Sequence, residues 1–382
     1  MDELNKFERA QEIIKELNVD GWLIISDESS DVHSHYLLGV QAPSRNYIYI
    51  AANGDHQVLA VEMEAPMIKR SLNNKGVKAK VESFSSLKDL IPKLKSILNK
   101  SCIALNYGAD IFSEKSDIFA DHLKVGDYFS IKKLAPDTEF ISSAPIIYGL
   151  RSVKNQEELK DLRNVCNATL EILETLPDII KKGMSENEVK AEIEYRYMKL
   201  GKPSFPAIVG TGAHSADPHH NTSNKKIEEG VLLIDTGLKI DQMCSDITWT
   251  LWVGKKPSDG FLKAYSALYE SKEIANNYFI DGSPANLPAI KCRDCLKEKG
   301  FDHEKLFFHG FGHSLGFVAH DIGPRVSWKV SKKFKLKENM VYTNEPGLYW
   351  KGEWGVRLED DIIIGKDKCE KLTYNHKDPL LI

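Results

Sequence analysis

Residues 231–253 read VLLIDTGLKIDQMCSDITWTLWV. Two apolar runs of strand length flank a short polar centre, which is the pattern of a β-hairpin. Each run carries one aspartate in otherwise apolar surroundings, Asp235 and Asp246. A turn centred on Ile240-Asp241 sets the two directly opposite each other, where Cβ atoms lie about 4.5–5.5 Å apart. Residues 340–364, MVYTNEPGLYWKGEWGVRLEDDIII, repeat the arrangement, and a turn centred on Gly352 sets Glu345 opposite Glu359. Like charges face to face are destabilising, and a carboxylate in a dry site either takes up a proton or finds a cation. Two divalent cations would balance four carboxylates, so the pattern points to a dinuclear metal site.

Nitrogen ligands are available between the two acid pairs, in HGFGHSLGFVAHD (309–321). Glycines at 310, 312 and 316 allow close backbone approach and suit a strand edge that carries His309, His313 and His320 toward a cleft. Oxygen-rich coordination with one imidazole fits Mn, Fe, Co or Zn, not a thiolate-type structural zinc.

The same hairpin-linked half contains FPAIVGTG (205–212) and two helical stretches near 259–279 and 285–299. Together these predict an α+β domain with a curved antiparallel sheet and helices on its outer face. Two helices lead into it. Asn155 with Glu158, and Ser185 with Glu188, have capping-box chemistry, and Leu159, Leu162, Val165, Cys166, Leu170 and Leu173 follow at helical spacing. Upstream, roughly the first 130 residues alternate a helix (Phe7, Ile13, Ile14 and Leu17 inward) with strands at 21–26, 47–52 and 56–62, an α/β pattern. His33 and His35 are the local histidine pair there, and with no acids at useful spacing they read as loop or substrate-rim residues. The segment 133–154, with prolines at 136 and 145 and no clean period, reads as a boundary. The expected organisation is therefore 1–135 as an N-terminal α/β domain, 136–154 as a linker and 155–382 as the catalytic domain.

Composition narrows the function classes. With 382 residues the chain can bury a large core without disulfides or a structural metal. Its 51 basic and 55 acidic residues give a formal net charge of −4, which removes the electrostatic footprint of a nucleic-acid binder. No apolar run reaches the roughly 18 residues of a membrane span, and the start, MDELNKFERAQEII, lacks the regions of a signal peptide. The six scattered cysteines fit reduced thiols, and the expected location is the cytoplasm. Cys292 and Cys295 form a CxxC without a second cysteine pair, so a zinc or redox role is not expected of it.

The motifs FPAIVGTGAHSADPHH, LLIDTG, CSDITWT, HGFGHSLGFVAHD, NEPGLY and GVRLEDD resemble those of the prolidase, aminopeptidase P and methionine aminopeptidase group, metallopeptidases of the "pita-bread" fold. The resemblance spans the whole chain and includes a creatinase/prolidase-type N-terminal domain and the linking LRSVKNQEELKDLR. It implies that Asp235, Asp246, His313, Glu345 and Glu359 hold two divalent ions (Mn, Co or Zn). It implies catalytic parts for His219, His320 and Glu345, with Glu345 also the general base, and substrate-lining or orienting parts for His309 and Arg357. The two-domain chain, the PHH segment and the HGFGH motif place the likeness in the proline-directed branch. The implied activity is hydrolysis of an Xaa-Pro bond, as an Xaa-Pro dipeptidase or, alternatively, an Xaa-Pro aminopeptidase on longer peptides. The implied substrate is a peptide with proline second, and the implied assembly is a homodimer. A catalytically silent binding module and a metal-free creatinase-like hydrolase are the competing classes, and the intact set of four acids and His313 argues against both. One departure is visible: Trp249 stands where the family usually has arginine.

Overall fold

The computed structural model describes residues 4–110 and 118–382. The chain divides into two compact units, Met1–Arg151 and Ser152–Ile382.

In the first unit, a capping box of Asn5 and Glu8 starts the helix Lys6–Glu16, which buries Phe7, Ala10 and Ile14. Leu17, expected inward, is the exposed C-cap. The fully buried strand Gly21–Ser26 lies inside a six-stranded mixed sheet, antiparallel to Asn46–Ala51 and parallel to Cys102–Leu105. His33 is not a rim residue. It lies in the helix Val32–Leu38, fully buried, with Nε2 3.0 Å from the Phe119 carbonyl and Nδ1 3.0 Å from Arg151. The helix starts there because Asp31 caps the His33 N–H at 2.8 Å. Residues 136–154, read as a linker, contain the strand Glu139–Ser142 on the edge of this sheet and the helix Ala144–Arg151. Pro145 falls in the first turn of that helix, where the missing N–H costs no hydrogen bond, so proline there starts the element and does not break the chain.

In the second unit the capping boxes at Asn155 and Ser185 open the helices Gln156–Leu173 and Glu186–Tyr197 as expected. Their apolar faces join Leu232, Ile234, Ile247, Trp249 and Leu251 in one core cluster. A second cluster surrounds the helices Asp259–Asn276 and Leu287–Glu298, with Leu348, Val356 and Ile362. Each fully buried aliphatic side chain contributes about 1.5–3 kcal/mol, and these two clusters grip the antiparallel strands from which the polar site projects. Cys292 and Cys295 are buried free thiols on the second of these helices.

The two hairpins compare differently with the expected registers. Gly347–Trp350 pairs with Trp354–Arg357 about Gly352, whose φ of 83° a glycine adopts without strain, and Val341–Asn344 pairs with Asp360–Ile363 in the same register. Glu345 therefore faces Glu359, as the sequence indicates. The first hairpin turns at Asp241-Gln242, with Asp241 at φ 51°, and pairs Asp235 with Thr248 instead of Asp246. Aspartate tolerates the left-handed region, so the turn forms one residue later than expected. The slip moves a partner by two residues, and side chains alternate with period two, so Asp246 keeps the face of Asp235 as its diagonal neighbour.

Candidate metal centre

Asp235 and Thr248 leave their paired strands on one face, while Trp249 points into the opposite core and donates its indole N–H to the Tyr374 carbonyl at 3.0 Å. Tryptophan at this position is thus absorbed by packing against Tyr374 and His376, and no charge is needed there.

Segment 311–315 runs beside the strand Val341–Asn344. The Leu315 N–H donates to the Val341 carbonyl, the Thr343 N–H to the His313 carbonyl and the Glu345 N–H to the Phe311 carbonyl. Gly312 is required, because a Cβ there would run into the Thr343 carbonyl. Thr343 Oγ1 accepts from the His313 N–H at 3.1 Å and donates to Glu345 Oε1 at 3.2 Å, tying the imidazole and the carboxylate together. His313 Nε2 lies 3.6 Å from Asp246 Oδ2 and 3.5 Å from Glu345 Oε1. Ligand atoms of Asp246, His313 and Glu359 all fall within 4.8 Å of one another.

These acids are held in place by groups around them. Thr248 Oγ1 donates to Glu359 Oε2 at 2.6 Å, and the Asp246 N–H donates to Asp361 Oδ2 at 3.0 Å. Arg357 is fully engaged: Nη2 reaches Asp235 Oδ2 at 2.5 Å, Nε reaches Thr248 Oγ1 at 3.0 Å, and Nη1 reaches the Tyr349 hydroxyl at 3.1 Å and the Pro218 carbonyl at 3.3 Å. Its contacts orient Asp235 and its neighbours. The Tyr349 hydroxyl also lies 3.0 Å from His309 Nε2, so Asp235, Arg357, Tyr349 and His309 form one chain of polar contacts. Tyr349, Thr248 and Thr343 escape a reading that looks for acids and histidines. Parity was the available signal, since residues 345, 347 and 349 share a strand face.

His320 stacks edge-on against His313 with ring centroids 4.1 Å apart. His219 is exposed on a turn whose Asp217 side chain accepts its backbone N–H at 3.1 Å, and it lies close enough to His309 and His320 to act on both. The loop carrying His219 is anchored by fully buried Glu186, which accepts from Thr211, Ser223, His214 and His220.

The electrostatics fit bound cations. Burial, then repulsion from Glu359, Asp235 and other acids, pushes the Asp246 carboxyl well above its usual range. Burial followed by Glu345 and Asp235 does the same to Glu359, and burial raises Glu345 to about 7. Asp235 Oδ1 is buried and meets no hydrogen-bond donor. Burial draws His309 down to about 3 and lowers His313 and His320, so all three present neutral imidazoles near neutral pH. Arg357 brings a buried positive charge to the cluster through its ion pair with Asp235. The donor set of carboxylate oxygens with one neutral imidazole matches a hydrolytic divalent cation.

A pH dependence follows. At pH 6.5 and above each of these histidines holds at most about half a proton when unfolded and essentially none when folded. That difference is smaller than that of Asp246, Glu345 and Glu359, which still hold protons that the unfolded chain has released. The metal-free native state therefore binds more protons than the unfolded state, and its stability falls as pH rises through about 7. Urea unfolding of metal-stripped protein is expected to show a lower midpoint at pH 8 than at pH 6.5, and Mn2+ is expected to shrink the difference. A metal-free midpoint that is equal or higher at pH 8 contradicts this account of the acids.

The chain is similar to known proteins over its whole length. Residues 6–153 match the creatinase/prolidase N-terminal domain, and residues 160–366 match metallopeptidase family M24. An Xaa-Pro dipeptidase of Pyrococcus horikoshii is 29% identical, with 99% of each chain covered. An uncharacterized peptidase of Methanocaldococcus jannaschii is 34% identical over 62% of this chain and 68% of its own. Among solved structures, the X-Pro aminopeptidase of Thermotoga maritima superposes with a TM-score of 0.84 at 27% identity, covering 97% of this chain and 100% of that one. The prolidase of Pyrococcus horikoshii gives 0.82 at 27% identity, covering 97% and 98%. The fold is the two-domain pita-bread fold, with Asp235 on a strand and Asp246, Glu345 and Glu359 next to strand ends, and the chain belongs to metallopeptidase family M24.

Proposed function

We propose that this chain is a dinuclear-metal Xaa-Pro dipeptidase in which Asp235, Asp246, His313, Glu345 and Glu359 hold two divalent cations, Mn, Co or Zn. The observation that carries the reading is the convergence of four carboxylates and one neutral imidazole in one buried site, where Asp246, Glu345 and Glu359 are pushed toward protonation. When bound, the cations supply Lewis acidity, lowering the pKa of water and polarising the scissile carbonyl.

The chain's own groups do the rest. Glu345 takes the proton of the attacking water at a carboxylate oxygen and passes it to the leaving proline nitrogen. His219 and His320 donate hydrogen bonds to the substrate and to the oxyanion as it develops, where preorganised donors act most strongly. Arg357 keeps Asp235 aimed, and Tyr349 holds Arg357 and His309 in register.

The full-length likeness to proteins named Xaa-Pro dipeptidase supports the dipeptide reading, and the likeness to an X-Pro aminopeptidase keeps longer peptides as the alternative. Six free cysteines and the absence, among the described residues, of a helix long and apolar enough to cross a membrane support a cytoplasmic location. A homodimer, implied by the resemblance, completes the reading and is checked by light scattering.

Xaa-Pro dipeptides, Xaa-Pro-Yaa tripeptides and Met-initiated peptides, each assayed with Mn2+, Co2+ and Zn2+, test the function. The expected result is cleavage of the dipeptides well above both other classes. Faster tripeptide cleavage selects the aminopeptidase, and no cleavage by fully loaded protein selects a silent binding module.

A further inference from the structure

A second group of metal-binding side chains shares no residue with the acid cluster. Glu186, His214 and His220 offer a carboxylate oxygen, Nδ1 and Nε2, all within 4.8 Å of one another. Glu186 is the first residue of the helix Glu186–Tyr197, and the two histidines lie on the loop that follows the strand Ile208–Thr211. Oε1 of Glu186 is 2.8 Å from His214 Nδ1, and Oε2 is 2.9 Å from His220 Nε2. The two imidazoles lie against each other with centroids 4.2 Å apart and planes inclined by 33°.

We propose that Glu186, His214 and His220 form an additional site for one borderline transition-metal ion such as Zn2+, and that the ion fastens the loop bearing His219 to the helix.

Two imidazoles and one carboxylate are a zinc donor set that leaves a position for water. Ligand atoms around a tetrahedral Zn2+ at about 2.0–2.1 Å stand about 3.4 Å apart. The present spacings of 2.8 and 2.9 Å need to open by only about half an ångström to admit the ion. The two nitrogens that now donate to Glu186 give up their protons when the ion binds, and each imidazole can do so while staying neutral by carrying its proton on the other nitrogen. The carboxylate is already aimed: the Thr211 N–H and Ser223 N–H donate to it at 3.0 Å each, and Ser223 Oγ donates at 2.6 Å. Outer hydrogen bonds of this kind orient metal ligands and tune their basicity. Burial opposes the charged form, yet the hydrogen bonds from Ser223, His220, Thr211 and His214 hold Glu186 at about 2, so it is ionised at any working pH. Glu186 is fully buried, whereas the His214 side chain is about one third exposed and opens the site to solvent. The Pro218 carbonyl accepts from Arg357, so the clamped loop reaches the acid cluster through one hydrogen bond.

The test is a difference in metal content between chains, so it holds even if the acid cluster binds other than two ions. Full-length protein saturated with Mn2+ is dialysed against micromolar Zn2+ and analysed for both metals, beside His214→Asn and His220→Asn. The expected result is one Zn2+ more per wild-type chain than per chain of either variant, with Zn2+ affinity at the site weakened at least about tenfold. A Zn2+-dependent rise in Tm, superimposed on the effect of Mn2+, is expected in wild type and lost in both variants. His214 is partly exposed, so its replacement keeps the test usable if His220→Asn folds poorly. Equal zinc content in wild type and His214→Asn overturns the proposal, as does a wild-type chain that takes up no extra zinc.

Discussion

Replacing Asp246 with asparagine removes at least one divalent cation from each chain and lowers Xaa-Pro turnover by a factor of about 10^3 or more, the scale of a lost cation's transition-state stabilisation. Asparagine keeps the side chain's shape but not its charge, and Asp246 is one of the three groups whose ligand atoms already meet. The metal-free protein gives a second, independent readout with the opposite sign. Burial and the charges of Glu359 and Asp235 work against the ionised Asp246, so neutralising it relieves repulsion among the remaining acids. Metal-free Asp246→Asn is therefore expected to unfold at higher urea than metal-free wild type at pH 8, while the Mn2+-loaded order is reversed. A carboxylate that served only the fold, through hydrogen bonds it accepts, would destabilise both forms when changed. Unaltered metal content by elemental analysis, or a lower midpoint in the metal-free variant, would show that Asp246 is not a ligand.

The legibility of this site in the sequence depended on how far each feature is set by local chemistry. The register that joins Glu345 to Glu359 is written in the chain because Gly352 is the one residue of its turn suited to φ 83°, and the flanking apolar residues fix the faces. The Asp235 hairpin was less determined, since Ile240-Asp241 and Asp241-Gln242 are both acceptable turns. The aspartates still share a face because the error was an even number of residues. His33 was misplaced for a different reason. Its burial depends on a carbonyl at Phe119 and a guanidinium at Arg151, 86 and 118 residues away, and no local pattern reports such partners. Tyr349 was hidden by type: a tyrosine in a strand reads as packing, and only its contacts with Arg357 and His309 make it part of the site. Residues 136–154 look like a linker because two prolines interrupt their period, although Pro145 merely opens a helix.

Lys272→Met is expected to destabilise the metal-loaded second unit by about 3–5 kcal/mol, the typical cost of removing one partner from a buried ion pair. Lys272 lies on the helix Asp259–Asn276, and its ammonium bonds Asp360 Oδ2 and, at 2.5 Å, Asn375 Oδ1, with both charged side chains fully shielded from solvent. Asp360 directly follows Glu359 and, by strand alternation, points to the opposite face, toward this helix and away from the acid cluster. It pairs in register with Asn344, the residue before Glu345, and Asn344 itself donates to the Lys272 carbonyl at 3.1 Å. The pair thus underpins both glutamates from behind. Burial lowers Lys272 and raises Asp360, so neither charge would persist there alone, and methionine leaves Asp360 with a buried carboxyl and no cation. Its Oδ1 already has no donor, so nothing nearby can take over. The double change Lys272→Met with Asp360→Leu separates charge from packing. Replacing both partners with apolar groups of similar size is often neutral, so most of the lost stability should return. Urea unfolding followed by tryptophan fluorescence reads this unit, which holds five of the six tryptophans. A single variant within about 1 kcal/mol of wild type, the range of an exposed pair, would mean that Asp360 is held by something other than Lys272. A double variant as unstable as the single one would mean that the pair's role is its shape and not its charge.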